Sequence, residues 1–476
     1  MDIILGIDIG TSKLCVIAME LNTGNVLSNI STKNISNLKS NEQDIKEQSP
    51  DIIYSQTIEL IKRICGKLKI KRNNIRGIGI TCQMHGVLLI DTDNKPATPL
   101  ITWQDSRCKR SMRNGKTYIR YISDIIDNDV FFEDCGTLPA AGFGGMTLFW
   151  LKENNLIPSD AKAVTIGDYI SIKLSDGQST IDETNAASFG IYNIKTHTWH
   201  NEIIKSLGLP SGLFPEIGNS GEPIGNITSD IAKLTNLPKH TKICRCIGDN
   251  QASFIGAVSN IENGVLLNIG TGSQISCPLK NFKTYKGLDT RPLVNNRYIA
   301  VGAGLCGGEA YTYLKNFISD IGENFFYTSK SESELFAKMN ELAIMPDKDL
   351  ALYVNTNFMG TRLNPDLKGR IENIDIKNFS ISNLCRGFLD GIVNELVDFY
   401  RICSKDVETT DIVGSGNALR RNNLLNEIIS EKFKHRVKTP LHTEEAAYGA
   451  ALSAGVGLGF FKSYKEAGGI IKYHNK

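Results

Sequence analysis

Two short stretches of this 476-residue chain carry the residue types that handle phosphate. The first is Gly6-Ile7-Asp8-Ile9-Gly10-Thr11-Ser12-Lys13. The second, Val265-Leu266-Leu267-Asn268-Ile269-Gly270-Thr271-Gly272-Ser273, repeats its design. In each, an apolar run ends in a small, flexible turn and a second apolar run leads back, which predicts strand, tight turn, strand. Gly10 can take backbone angles other residues avoid, so the turn can curl its N–H groups toward one point. Thr11 and Ser12 add hydroxyl donors there, and converging donors seat a phosphate. Asp8 ends the first strand, where a carboxylate would hold Mg²⁺ through water. A plain hairpin with Asp8 capping its turn uses the same residues. Repetition favours the phosphate reading: two copies about half the chain apart suggest a duplicated architecture that grips a polyphosphate from both sides.

Three further stretches could act on what such seats hold. Gly248-Asp249-Asn250 lies at a strand end before a small-residue helix over 251–258. There Asp249 faces a cleft and could take a proton from a substrate hydroxyl while that oxygen attacks phosphorus. Asp before a helix is also the ordinary N-cap, and one residue can do both jobs. Gln83-Met84-His85-Gly86 and Trp103-Gln104-Asp105-Ser106-Arg107 follow two separate strands. Amides and carboxylates pair with hydroxyls while an aromatic face covers C–H groups, a mix that binds sugars. The alternatives are a structurally satisfied His85 and a fold-holding Asp105–Arg107 ion pair. Gly414-Ser415-Gly416-Asn417 again follows a short strand. Its glycines let a flat ring or a phosphate approach the backbone, beside a helix N-terminus that favours negative charge.

The positioning elements follow from length and pattern. The chain is long enough for two domains. Its composition, 41% hydrophobic and 22% charged, is that of a globular protein. A net charge of +2 offers no field for nucleic acid or an anionic membrane. Eleven cysteines are scattered, and Cys244 and Cys246 have no partner pair, so zinc is not expected. Reduced core thiols in a cytoplasmic protein fit better. The first strand starts directly after Met1-Asp2, so no leader is expected. The uncharged run over 446–461 is too short to span a membrane and reads as a closely packed helix and turn. Residues 33–50 read as a polar surface excursion, 51–70 as a helix and 77–81 as a buried strand. A polar stretch over 182–188 precedes a strand over 189–192. Helices are expected over 311–318, 381–403, 419–432 and 444–452. The helix over 381–403 is amphipathic and the one over 444–452 small-residued. The segment 358–365 is a loop with one arginine, Arg362.

Taken in order and spacing, these motifs resemble the FGGY family of carbohydrate kinases, in the actin–hexokinase superfamily. Val413-Gly414-Ser415-Gly416 and Ala446-Ala447-Tyr448-Gly449-Ala450-Ala451 complete the set, so the resemblance runs from Gly6 to Gly449. It implies an α/β fold of two ribonuclease-H-like domains with a central cleft, a sugar-binding one over 1–253 and a nucleotide-binding one over 254–476. It implies that Asp249 is the catalytic base, with Asn250 beside it on the substrate, and that Asp8 organises Mg²⁺. It further implies that the sugar meets Gln83, Met84, His85, Trp103, Gln104 and Asp105. Phosphates fall to Gly10, Thr11, Ser12, Lys13, Gly270 and Thr271, and the nucleoside to Gly414, Ser415, Gly416 and Asn417. Thr102-Trp103-Gln104-Asp105-x-Arg107-Cys108 and Val413-Gly414-Ser415-Gly416-x-Ala418-Leu419-x-Arg421-Asn422 are most similar to sedoheptulokinase segments, with xylulokinases second. Implied partners are ATP and a ketose, with no nucleic acid or membrane, in a monomer or homodimer. Two departures stand out. Relatives commonly carry lysine at the position of Cys15, where here the lysine is Lys13 on the same strand face. Ser106 stands where glycine is usual. A nucleotide-gated binding protein or a non-catalytic ketose-binding regulator would share this fold.

Overall fold

The computed structural model describes residues 1–175, 177–344, 352–361, 364 and 366–474, so Arg362 lies outside the described residues. The N-terminal sheet begins with β1 (Ile3–Ile9), β2 (Lys13–Glu20) and β3 (Val26–Lys33), three antiparallel neighbours. Helix α1 (Pro50–Leu68) follows; Ser49 accepts the Ile52 N–H, Pro50 pre-sets the first turn, and Ile53, Ile61 and Ile64 face the core. Strand β4 (Ile75–Cys82) then lies parallel to β1, and β5 (Lys242–Cys244) parallel to β4. Strands β1, β2 and β4 are nearly continuous apolar runs because both faces of the sheet are covered there, whereas β3 at the edge is polar. Helix α2 (Asp249–Ala257) leads out of the sheet.

The second half repeats this plan. Strands β6 (Gly264–Ile269), β7 (Ser273–Leu279) and β8 (Arg297–Gly304) are antiparallel neighbours. After helices α3 (Gly308–Phe325) and α4 (Ile381–Cys403), strand β9 (Asp411–Ser415) lies parallel to β6 and β10 (Val437–Lys438) parallel to β9. Within each sheet these five strands read third, second, first, fourth, fifth, which is the duplication anticipated from the two turns, and further strands, Pro223–Asn226 and Ile247–Gly248 in the first sheet and Asp289–Leu293 in the second, extend them.

Helix α5 (Glu445–Gly457) ties the halves together. It belongs to the end of the chain yet lies on the N-terminal sheet, where a Cβ on Gly6 would sit 1.9 Å from the Ala447 carbonyl oxygen. On its other side it crosses α2. A Cβ on Gly449 would sit 1.8 Å from the Ala252 oxygen, and one on Gly256 2.0 Å from that of Glu445. The small residues of this helix let backbone touch backbone, as their pattern predicts.

Several expectations change. Residues 33–50 are not a mere surface excursion: Asn34, Ser36 and Gln48 are buried, because the segment folds back under the first turn. The polar stretch after Ile181 forms a short helix, Glu183–Ala187, and the apolar run over 189–192 has no strand partner until Tyr192. The helix expected over 311–318 is α3, longer at both ends. That over 419–432 is two helices, Asn417–Arg421 and Asn423–Phe433, broken where Asn422 caps the second by accepting the Leu425 N–H at 3.2 Å. Residue 253 lies inside α2, so the change from one sheet to the other comes after Ala257. All eleven cysteines are buried and free. No described helix is long and apolar enough to cross a membrane.

Candidate active site

The first turn is closed by the Gly10 N–H, which donates to the Lys13 carbonyl at 3.0 Å, so this donor does not point at a ligand. Gly10 keeps a negative φ; what the turn requires of it is space, since a Cβ would lie 2.8 Å from that carbonyl oxygen. Thr11 is the hub. Its hydroxyl donates to Gln83 Oε1 at 2.9 Å and accepts Trp103 Nε1–H at 2.9 Å, joining turn and both sugar-type motifs. Beneath it Gln48 Nε2 donates to the Thr11 carbonyl at 2.9 Å, while Gln48 Oε1 accepts from Gln83 Nε2 at 2.8 Å. Asn34 Nδ2 donates to the Gly10 carbonyl at 3.1 Å. Ser12 is exposed, and Lys13 pairs with Glu444 at 2.7 Å.

Asp105 takes the fold-holding arrangement that its sequence left open. It is buried, with one oxygen on Arg107 Nε at 2.8 Å and the other on the Lys46 N–H at 2.8 Å. Arg107 also reaches Glu47 at 2.6 Å and covers the Trp150 ring. This buttress leaves Trp103 half-exposed at 48%, its face available, with Gln104 exposed beside it.

His85 adopts a left-handed φ of 70°, stacks on Phe143 at 4.3 Å, and donates through Nδ1 to the Ser188 carbonyl at 2.9 Å. Together with Met84, Thr137, Ser188, Asp289 and Arg291 it lines a narrow recess with room for about one water molecule. Asp289 and Arg291 come from the strand Asp289–Leu293 of the C-terminal sheet, so both halves build this pocket. Met84 also packs at the start of α2, its Sδ 2.9 Å from where a Cβ on Gly248 would lie.

Asp249 is the first residue of α2; the N-cap is Gly248, so the capping alternative for Asp249 falls away. Its carboxyl is half-buried, and burial pushes its pKa up to about 6, opposed by the Arg291 charge and by the N–H groups of Asn250 and its own residue. Asp8 is pushed to about 7 by burial, then by the charges of Asp249 and Glu444, with Lys13 alone opposing. A carboxylate raised by burial and by a second carboxylate suits a hard divalent cation. Among the described residues no cluster of three or more His, Cys, Asp or Glu could hold one directly. Capture through water and substrate phosphates therefore fits better than an all-protein cage. Asn250 is fixed on three sides: Nδ2 donates to Gln274 at 3.0 Å and Ser276 at 3.3 Å, and Oδ1 accepts from Arg291 at 3.4 Å. Gln274 sits on the strand leaving the second turn, so this amide couples the start of α2 to that turn.

In that turn the Gly270 N–H donates to the Gly272 carbonyl at 2.9 Å. The N-terminus of α3 closes on it, Gly308 and Glu309 donating N–H bonds to the Gly270 and Thr271 carbonyls at 2.9 and 3.1 Å. Gly416 comes from the other side with φ 91°, its absent Cβ 2.4 Å from the Ile269 oxygen. Gly270, Thr271, Gly416 and Asn417 therefore gather at one place. Ser415 is buried at 1% exposure beneath them, and Gly414 packs on Val437 and Leu419 in the sheet. Sequence reasoning missed Asn34, Gln48, Gln274, Arg291 and Glu444, all joined to the site by long-range contacts that no local motif announces.

Known proteins resemble this chain over most of its length. The family models for the N- and C-terminal domains of FGGY carbohydrate kinases match residues 3–256 and 281–458. The sedoheptulokinase of Mus musculus is 27% identical over 410 residues, 79% of this chain and 80% of that protein. The xylulose kinase of Staphylococcus xylosus is 26% identical over 490 aligned positions, covering 99% of this chain and 95% of that protein. Among solved structures, a xylulose kinase from Rhodospirillum rubrum superposes with a TM-score of 0.88 at 18% identity, covering 100% of this chain and 93% of that one.

Proposed function

The chain belongs to the FGGY family of carbohydrate kinases, and from that premise we propose that it phosphorylates the terminal hydroxyl of sedoheptulose, giving sedoheptulose 7-phosphate and ADP. The observation that carries this reading is that the charge of Asp249 raises the pKa of Asp8, while Met84, packed at the start of α2, also lines a recess built by both halves. Asp249, as the carboxylate, accepts the proton of the sugar hydroxyl as that oxygen attacks the γ-phosphorus. The Asn250 amide, held by Gln274, Ser276 and Arg291, steadies the start of the helix that carries Asp249. Trp103 covers a C–H face, and His85 and its pocket neighbours receive the remaining hydroxyls. The turns at Thr11 and Thr271 hold the phosphates, the Thr11 hydroxyl itself being engaged with Gln83 and Trp103, while Gly416 and Asn417 let the nucleoside lie against backbone. Asp8 and Asp249 would hold Mg²⁺ through water, and the bound ion neutralises phosphate charge. Positioning and exclusion of water do the rest, since phosphoryl transfer needs no covalent intermediate on the protein. The sugar-binding part falls mainly in the first half and the nucleotide-binding part in the second.

Xylulose is the second reading, favoured by the Staphylococcus xylosus relative that spans nearly the whole chain. ADP release by the purified chain is to be measured with sedoheptulose, xylulose and ribulose in the presence of Mg-ATP. The expected outcome is the highest kcat/KM with sedoheptulose. A clear preference for either pentulose overturns the substrate assignment, and nucleotide binding without sugar phosphorylation overturns catalysis.

A further inference from the structure

Residues 182–185 have no part in the scheme above, yet they reach the start of α2. Asp182 is fully buried at 0% exposure and caps the short helix Glu183–Ala187 by accepting the Asn185 N–H at 2.9 Å. Its second oxygen accepts the hydroxyls of Thr184 at 2.7 Å and Ser220 at 2.5 Å. A hydroxyl has one proton to give. Thr184 gives its proton to Asp182, so it can only accept elsewhere, and it accepts the N–H of Gly248 at 2.8 Å. One residue on, Asn185 Nδ2 donates to the Cys246 carbonyl at 3.3 Å. The strand end Cys246-Ile247-Gly248 is thus bonded at both ends from one short helix.

Gly248 needs that support. It is the N-cap of α2 and brings no side chain to fix the cap, and glycine has the freest backbone of any residue. The next residue is Asp249. We infer that Asp182 and Thr184 are positioning residues for Asp249: the carboxylate orients the hydroxyl, the hydroxyl holds the Gly248 N–H, and the direction in which Asp249 leaves the strand is thereby set. The inference rests on the reading of Asp249 as the base. A base displaced by even ~1 Å loses much of its rate advantage, so loosening the cap acts on turnover more than on nucleotide binding.

The test compares Thr184→Val, Thr184→Ser and Asp249→Asn with wild type. It uses the ketose turned over fastest, with rates normalised to ADP-binding sites so that unfolded protein is not counted. Thr184→Val keeps the side chain's shape and removes only the hydroxyl. The expected result is a kcat at least about tenfold lower with KM for ATP within about twofold, and Thr184→Ser close to wild type. A Thr184→Val kcat within about twofold of wild type overturns the inference, as does an equal loss in Thr184→Ser, which would assign the effect to the methyl group. A fully active Asp249→Asn removes the base reading itself. An inactive Asp249→Asn beside a normal Thr184→Val removes the positioning role alone.

Discussion

Replacing Gly449 by alanine tests the central crossing of α2 and α5 quantitatively. In an exposed helix this change stabilises by about 0.8–1 kcal/mol, because glycine is the poorer helix former. At Gly449 the added Cβ would lie 1.8 Å from the Ala252 carbonyl oxygen and 2.8 Å from the Gly256 nitrogen, both backbone atoms that no rotamer can move. An ordinary carbon–oxygen contact is about 3.3 Å, so the helices must part by more than ~1 Å. Overpacking of this kind costs about 1–3 kcal/mol and here exceeds the propensity gain. At ~2–4 °C per kcal/mol for a domain of this size, Gly449→Ala should lower the melting temperature by several degrees. Ala252 is within one helical turn of Asp249, so kcat should fall as well, by roughly tenfold or more. Gly66 is the internal control: it lies in α1 with nothing within 4 Å of its absent Cβ, so Gly66→Ala should gain stability. Differential scanning fluorimetry and steady-state kinetics on both variants decide the matter. A Gly449→Ala protein that melts and turns over like wild type would refute the argument from close approach.

Asp249→Asn should lower kcat by about 10²–10⁴-fold while ADP still binds, as calorimetry can show. Because the Asp249 carboxyl sits at about 6 and must be ionised to act, kcat/KM should rise with pH through that value and level off above it. A profile flat from pH 5 to 8 would contradict this. Asp8 titrates at about 7 in the folded protein against an ordinary 3.8, so the native state binds the proton more tightly than the unfolded one. Its ionisation therefore costs stability, nothing below pH 4 and the full amount above pH 7. That full amount is at most ~4 kcal/mol, reduced to ~1–2 by the solvent Asp8 still sees. Metal-free Asp8→Asn should accordingly resist urea better than wild type at pH 8 and equally at pH 4, while losing activity. Gln48→Leu strips partners from Thr11 and the buried Gln83 amide, and should cost about 1–3 kcal/mol in urea melts and raise KM for ATP.

What the sequence reveals and what it hides divide along contact range. The turns at Gly10 and Gly270, the long helix Ile381–Cys403 and the small-residue helix over 445–457 are written in local pattern, and each is present. The run Phe189-Gly190-Ile191-Tyr192 is apolar because it is buried, but burial alone does not supply a strand partner, so its expected strand is largely absent. Gln48 looks like a surface residue because its neighbours are polar; its partners Thr11 and Gln83 lie far off in the chain. Arg291 carries no motif, yet the pairing of its strand with β8 brings it to Asn250. Asp249 stands at a strand end and helix start, as its neighbours predict, but an N-cap and a first helical residue look alike in local sequence.

The glycine-to-glycine crossing also bears on how the lobes move. With no side chains between α2 and α5, there is no layer to rearrange, so sliding is blocked and rotation about the contact is the easier motion. Asp249 lies within a turn of that fulcrum and travels little in such a swing, whereas the phosphate turns and pocket rim travel farther. On the proposed reading, spin labels near Asp249 should report smaller distance changes on ligand binding than labels on the two lips.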